Sequence, residues 1–248
     1  MSKLPELLQE YSRTALNVGP AGFSRGLSAF RAVTELSQEL AQGTAPTTAP
    51  GLLRALFEKL GATYIKLGQF IASSPTLFPA EYVEEFSKCL DKTPAVPWED
   101  IEKVLLEDLG RPIDVVFESI DKEPLATASI AQVHTAVLKG SRREVVVKVL
   151  KPGVKETLLA DLSFIYLAAR TLEWLNPELA RTSFADIAGD IRTSMMEEVD
   201  FTKEARHLEE FTSFLDRLDI QEATAPQVFR GASSRRVLTM ERLRGVPL

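Results

Sequence analysis

The segment Glu144–Leu150 (EVVVKVL) sets one lysine inside a run of valines and a leucine, and no other feature constrains the fold as tightly. β-Branched residues in such a run form a buried strand, because their stiff side chains pack well on a pleated surface. Lys148 then has two options. Its long stem can carry the ammonium out to water, which is the plainer reading, or the fold must bring it an anion. A buried ammonium with no partner is too costly to be a third. Ser141-Arg142-Arg143 reads as the turn into this strand, and Lys151-Pro152-Gly153 as its end.

Carboxylates for Lys148 are on offer in segment 183–218, which reads as one long helix. Ile187, Ile191, Met195 and Val199 form one apolar stripe, and Leu208, Phe211 and Leu215 a second. Traced backward at helical spacing, the second stripe reaches Glu204 and Asp200. Two carboxylates at this spacing share a face and repel by about 0.2–0.5 kcal/mol even when exposed. On a core-facing stripe they call for a cation; on an acidic helix surface, the alternative, they need none. Glu198 lies far enough around the helix to engage a different cation, and Lys203 offers Asp200 a local one.

Leu125 to His134 (LATASIAQVH) precedes the lysine strand and is built from small residues. Such a stretch lets a backbone approach a ligand closely, and its N–H groups can cradle phosphate. A hairpin packed tightly on a helix needs the same composition. Neither G-x-G-x-x-G nor G-x-x-x-x-G-K-[ST] occurs, so the ordinary dinucleotide and Walker fingerprints are absent.

Around this centre the spacing predicts helices at 4–15 and 23–40, then a linker at Gly43–Pro50 (GTAPTTAP). A third helix carries Leu52, Leu53, Leu56, Phe57, Leu60 and Tyr64 and runs into Lys66-Leu67-Gly68-Gln69, breaking near Pro75. Helices follow near 80–91, 98–109 and 155–176. Strands are predicted near 123–138, 143–150, 227–230 and 236–241. Trp98 and Trp174 read as packing residues, His134 as structural and Cys89 as packed rather than reactive.

Composition excludes several classes. One cysteine and two histidines among 248 residues rule out a disulfide framework, a cysteine cluster and a His-rich metal site, so no metal ligands are assigned. A net charge of −6 argues against a nucleic-acid partner. No stretch approaches the ~18 apolar residues of a membrane span, and residues 1–10 lack the order of a secretory signal. The expectation is a soluble or peripheral protein.

Four motifs in order make this chain resemble the UbiB/ADCK (aarF-domain) family of atypical protein-kinase-like proteins over roughly residues 52–248. They are Lys66-Leu67-Gly68-Gln69 (K-x-G-Q), Ala126 to His134 (the alanine-rich nucleotide loop), Val146 to Gly153 (the ATP-lysine strand) and Glu198-Val199-Asp200-Phe201 with Glu204-Ala205 (E-x-D and the following glutamate). The wording of Gln69–Glu81 and Arg236–Leu248 is most similar to the plant-plastid and cyanobacterial branch; mitochondrial and bacterial cytoplasmic members are the other settings.

The resemblance implies roles. Lys148 would hold the α- and β-phosphates of ATP and pair with Glu204, as in the kinase Lys–Glu ion pair. Ala126, Ala128 and Ser129 would lie over the phosphates. Lys66 and Gln69 would sit on a family-specific extension over the cleft, fastened by Glu198 and Asp200. Met240 would back the adenine pocket, with Glu241 and Leu243 as the hinge. Mg²⁺ would be held by ligands outside this chain. The fold expected is α+β: a kinase-like small lobe of antiparallel sheet plus long helix at 119–248, a K-x-G-Q extension at 51–118, and N-terminal helices with a linker at 1–50. No H-x-D before an Asn and no D-F-G is found, so the large lobe is expected to be missing and phosphoryl transfer incomplete. The implied function is the ATP-binding part of an atypical kinase or ATPase serving isoprenoid-quinone or prenyl-lipid metabolism at a membrane. The alternative is a non-catalytic helical interaction module or pseudokinase fragment.

Overall fold

The computed structural model describes residues 25–89, 94–175 and 184–245. The predicted helix at 4–15, and residues 23–24, 90–91, 176 and 183 at the ends of the predicted helices 23–40, 80–91, 155–176 and 183–218, fall outside them. The chain divides into two compact units, Met1–Lys92 with Lys155–Met195, and Thr93–Val154 with Met196–Leu248.

The first unit is helical. Helix α1 covers 25–41 of the described chain. Thr48 caps α2 (Ala49–Leu60), its hydroxyl accepting from the Gly51 N–H. The expected single helix from Leu52 through Gln69 is two, because Gly61 takes φ +94° and separates α2 from α3 (Ala62–Ala72). Helix α4 (Ala80–Phe86) follows. Ile65, Ile71, Phe86 and Cys89 form the core here, with Leu53, Phe57 and Tyr82 packed around it. Helices α7 (Val154–Leu175) and α8 (Phe184–Glu198) supply the rest of the helical residues. Leu27, Phe30, Val33 and Leu40, which repeat at helical spacing along α1, are exposed, as is Trp174, read from sequence as a packing residue.

The second unit is the mixed α and β part. Helices α5 (Trp98–Leu109) and α6 (Ile113–Val116) lead into an antiparallel sheet of β1 (Phe117–Ile120), β2 (Ala126–Thr127), β3 (Ala131–Leu138), β4 (Glu144–Leu150) and β5 (Val237–Glu241). The order is β1-β3-β4-β5, with β2 also paired to β3. The expected strand at 123–138 is thus β2 and β3 with a turn between them, and β1 is an addition. The expected strand at 227–230 reduces to a single bridge, Val228 to Met240, followed by a 3₁₀ turn at Arg230–Ala232.

Alternation along β4 sorts its side chains. Val145, Val147 and Val149 are fully buried with Ile101, Val104 and Leu105 of α5. Register puts Gln132 and His134 of β3, and Val237 of β5, on that same face. Lys148, Val146, Leu238 and Met240 share the other face. Helix α5 is tied to the start of β5 by Asp108, whose carboxylate accepts from Ser234 Oγ at 2.5 Å and from the backbone N–H and Nε of Arg236 at 2.8 Å each. Burial pushes this carboxyl up, but those bonds outweigh it and leave Asp108 below the usual range.

The predicted helix at 183–218 is the clearest correction. It breaks at Val199–Asp200 into α8 and α9 (Phe201–Arg217). Asp200 is extended (φ −123°, ψ 92°) and caps α9, its Oδ1 accepting from the Thr202 N–H at 3.1 Å and from Thr202 Oγ1 at 2.5 Å. Asp200 and Glu204 are therefore not successive members of one stripe, and Phe211, placed on that stripe, is exposed. Among the described residues no helix is long and apolar enough to cross a membrane.

Candidate functional site

Glu204, in the first turn of α9, reaches Lys148 on β4. The lysine ammonium donates to both carboxylate oxygens, at 2.8 Å and 2.7 Å. It also lies 4.9 Å from the ring centre of Phe201, which is buried at the base of the same helix. The strand lysine has therefore taken the anion rather than the solvent-face option. Both partners keep some exposure, 25% for Lys148 and 37% for Glu204, so water screens the pair and leaves the ammonium reachable by a ligand.

Two residues before Lys148 on the same strand face, about 7 Å along β4, Val146 lines a cavity of about 470 Å³. Leu125, Pro226, Met240, Glu241 and Leu243 line it too. It is an open, mainly apolar hollow bordered by the chain leaving β5, where Arg242 and Arg244 also line it, with the size range of a small-molecule site. Leu125 stands at its rim, 54% exposed. Sequence reasoning named Met240, Glu241 and Leu243 but missed Leu125, Val146, Pro226 and Phe201. Val146 was accessible by alternation from Lys148. Pro226 was not, because only the Val228–Met240 bridge brings that segment alongside β5.

Ala126 begins β2, and Ala128 and Ser129 form the turn into β3, where the Ala128 N–H donates to Ala131 O at 2.9 Å. Ser129 is buried and Ala126 exposed. Register pairs Val133 with Lys148, so the strand leaving this turn lies directly beside the lysine. Lys66 and Gln69 lie on α3, half-buried, in the first unit. Glu198 and Asp200 belong to the second. Besides capping α9, Asp200 lies 3.4 Å from Arg235 Nε.

His134 is fully buried on the α5 face. Its Nδ1 faces the Asp121 carbonyl at 2.8 Å, so Nδ1 carries the proton and Nε2 accepts from the Gln132 amide at 3.4 Å. Gln132 Oε1 accepts in turn from the Val96 N–H. Trp98 packs edge-on against the ring, 5.4 Å between centres. This is a structural histidine on the face away from Lys148.

The site fits a nucleotide in its donor set: a mainly apolar hollow for a base and a held but reachable cation for phosphate. Among the described residues no group of three or more His, Cys, Asp or Glu side chains is placed to hold a metal ion.

A family model described as the ABC1 atypical kinase-like domain matches residues 88–248. An uncharacterised chloroplastic aarF domain-containing protein kinase from Arabidopsis thaliana is 53% identical over 264 residues, covering 100% of this chain and 49% of that protein. A protein named "Probable protein kinase UbiB" from Erwinia tasmaniensis is 33% identical over 196 residues, covering 79% of this chain and 36% of its own length. Among solved structures, the erythromycin complex of Rv3197 from Mycobacterium tuberculosis matches with a TM-score of 0.51 and 28% identity, over 86% of this chain and 52% of that one. The chain thus spans about half or less of the length of these relatives. With its sheet, its α9 glutamate and its strand lysine in a kinase-like arrangement, the chain belongs to the ABC1 atypical kinase-like family, the UbiB/ADCK (aarF-domain) proteins.

Proposed function

We propose that residues 119–248 are a nucleotide-binding small lobe that contributes to an atypical kinase or ATPase. The observation that carries this reading is the Lys148–Glu204 pair on the strand face that continues into the cavity beside Met240. An adenine ring would enter between Leu125, Val146 and Met240, with the backbone at Glu241 and Leu243 offering groups to its edge. The phosphates would extend toward Lys148 and the turn at Ala126, Ala128 and Ser129. Lys148 then supplies a compact positive charge, and Glu204 keeps its long stem aimed while that charge is shared.

Three further assignments belong to the same proposal. Residues 51–118, with Lys66 and Gln69, act as the extension that restricts the site, and Glu198 and Asp200 are its anchors. Mg²⁺ accompanies ATP, and none of the described residues is assigned to it. The acceptor is a prenyl lipid or an isoprenoid-quinone precursor at a membrane surface, and the chloroplastic relative favours a plastid or cyanobacterial setting. A second reading, a helical interaction module without catalysis, is favoured by the exposed Leu27, Phe30, Val33 and Leu40 on α1.

The test is nucleotide binding with and without Mg²⁺, comparing the chain with its Lys148→Ala variant. Binding that is lost in the variant supports the small-lobe reading. No binding by either form removes it and leaves the interaction module.

A further inference from the structure

A second hollow, of about 440 Å³, lies at the far end of β3. Leu138 lines it and belongs to the core cluster of Val145, Val147 and Val149, whereas Lys148 is on the other face of β4. The hollow is therefore separate from the candidate nucleotide site. Val115, Val116 and Phe229 supply apolar wall. Every charged residue on the lining is a cation: Arg111 from the link between α5 and α6, Lys139 from the end of β3, and Arg230 from the 3₁₀ turn. Acidic side chains outnumber basic ones in the whole chain, 35 to 29, yet none of the acids lines this hollow.

The three cations are not held alike. Arg230 donates to both carboxylate oxygens of Glu209, at 2.7 Å and 2.6 Å, so its charge is answered. Arg111 donates from Nη2 to the Gly231 carbonyl, and the Lys139 ammonium donates to the Asp114 carbonyl at 2.6 Å. Neither of these two is paired with a carboxylate among the described residues. A carbonyl fixes a long side chain in place but leaves its charge uncompensated, and each group keeps further N–H donors. Side chains ordered beforehand lose less freedom when a ligand arrives. Arg143, 6.0 Å from the Phe229 ring centre, adds to the positive field. Arginine presents a planar fork that matches phosphate, and lysine a compact charge beside it. We propose that this hollow binds a phosphate monoester carried on an apolar group, free in solution or at the head of a lipid. The phosphate lies between Arg111 and Lys139, and the apolar group against Val115 and Phe229. This site does not depend on the nucleotide-binding reading above.

Hydrogen exchange in the 248-residue chain tests this, with phenyl phosphate, phenol, and phosphatidylcholine vesicles with and without phosphatidic acid as probes. The expected result is slower exchange in 111–116, 138–139 and 228–232 with phenyl phosphate and none with phenol, which lacks the charge. Arg111→Gln and Lys139→Gln should each weaken phenyl phosphate binding about tenfold, and Lys148→Ala should leave it unaltered. Protection of the same segments by phosphatidic acid vesicles, and not by phenyl phosphate, supports the site and names a lipid headgroup as the source. Arg111→Gln also removes a bond to the turn at Gly231, so Lys139→Gln decides if that variant does not fold. Protection by neither phosphate probe overturns the proposal. So does protection confined to 126–131 and Lys148, an equal effect of phenol, or binding that Lys139→Gln leaves unchanged.

Discussion

The Lys148 ammonium sits 2.7 Å and 2.8 Å from the two carboxylate oxygens of Glu204, with the Phe201 ring on its flank. A pair this exposed contributes little to stability, about 0–1 kcal/mol. Its value is orientation: the carboxylate holds a flexible lysine stem at one place on the sheet. Lys148→Met and Glu204→Gln should therefore each lower unfolding free energy in urea by no more than about 1 kcal/mol. Both should weaken ATP binding, Lys148→Met the more. A large loss of stability with unaltered binding would assign the pair to the fold alone.

Asp200 has a different job from Glu204, although the sequence spacing placed them together. It caps α9 through Thr202. Asparagine caps a helix nearly as well as aspartate, whereas alanine does not. Asp200→Ala should cost about 1 kcal/mol by urea unfolding and Asp200→Asn only a few tenths. Equal losses in the two variants would mean that the charge, not the cap, is what the fold uses at this position.

What was legible in the sequence was what elementary energetics makes compulsory. Alternation and burial left Lys148 a choice between solvent and an anion, with Glu204 and Asp200 both on offer, and the family resemblance singled out Glu204. The sheet's centre, β3 and β4, follows from alternation. The break between α8 and α9 was hidden because Val199 and Asp200 keep helical spacing on both sides, and only the cap bond to Thr202 reveals it. Strand β1 was hidden for another reason. Its four residues carry a half-polar pattern, and a bulge separates Phe117 from Ser119 in their pairing with β3. Leu125 and Pro226 reach the cavity only through tertiary pairing, which no local pattern encodes.

Gly68, inside the K-x-G-Q segment, is required for packing. A Cβ built there would lie 2.7 Å from Phe86 Cδ1 and 3.4 Å from Cys89 Sγ. Phe86 is almost wholly buried and packs on Phe57, 5.2 Å between ring centres, so it has little room to yield. Overpacking of this kind costs about 1–3 kcal/mol. Alanine returns up to about 1 kcal/mol through helix propensity. Gly68→Ala should therefore destabilise the chain by about 1 kcal/mol net in a urea titration. A more stable Gly68→Ala protein would show that α3 and α4 can part at no cost.

His134 gives the chain an acid sensitivity with a definite sign. Burial pushes its ring below the ordinary histidine value of 6.5, and the Asp121 carbonyl only partly offsets this. The folded state thus holds the neutral ring, and a second proton on Nε2 would confront the Gln132 amide instead of accepting from it. Where the folded pKa is depressed, the unfolded chain binds more protons between that value and 6.5, so stability rises with pH across this window. The stabilisation is complete above the unfolded value and is lost as pH falls through the folded one. The urea midpoint should therefore drop as pH falls below about 6.5, ahead of most carboxylate titration. His134→Gln keeps a side chain able to donate to the Asp121 carbonyl but cannot titrate, so its midpoint should be lower at neutral pH and flatter across the same range. A parent and variant with parallel pH profiles would move the acid sensitivity to another group.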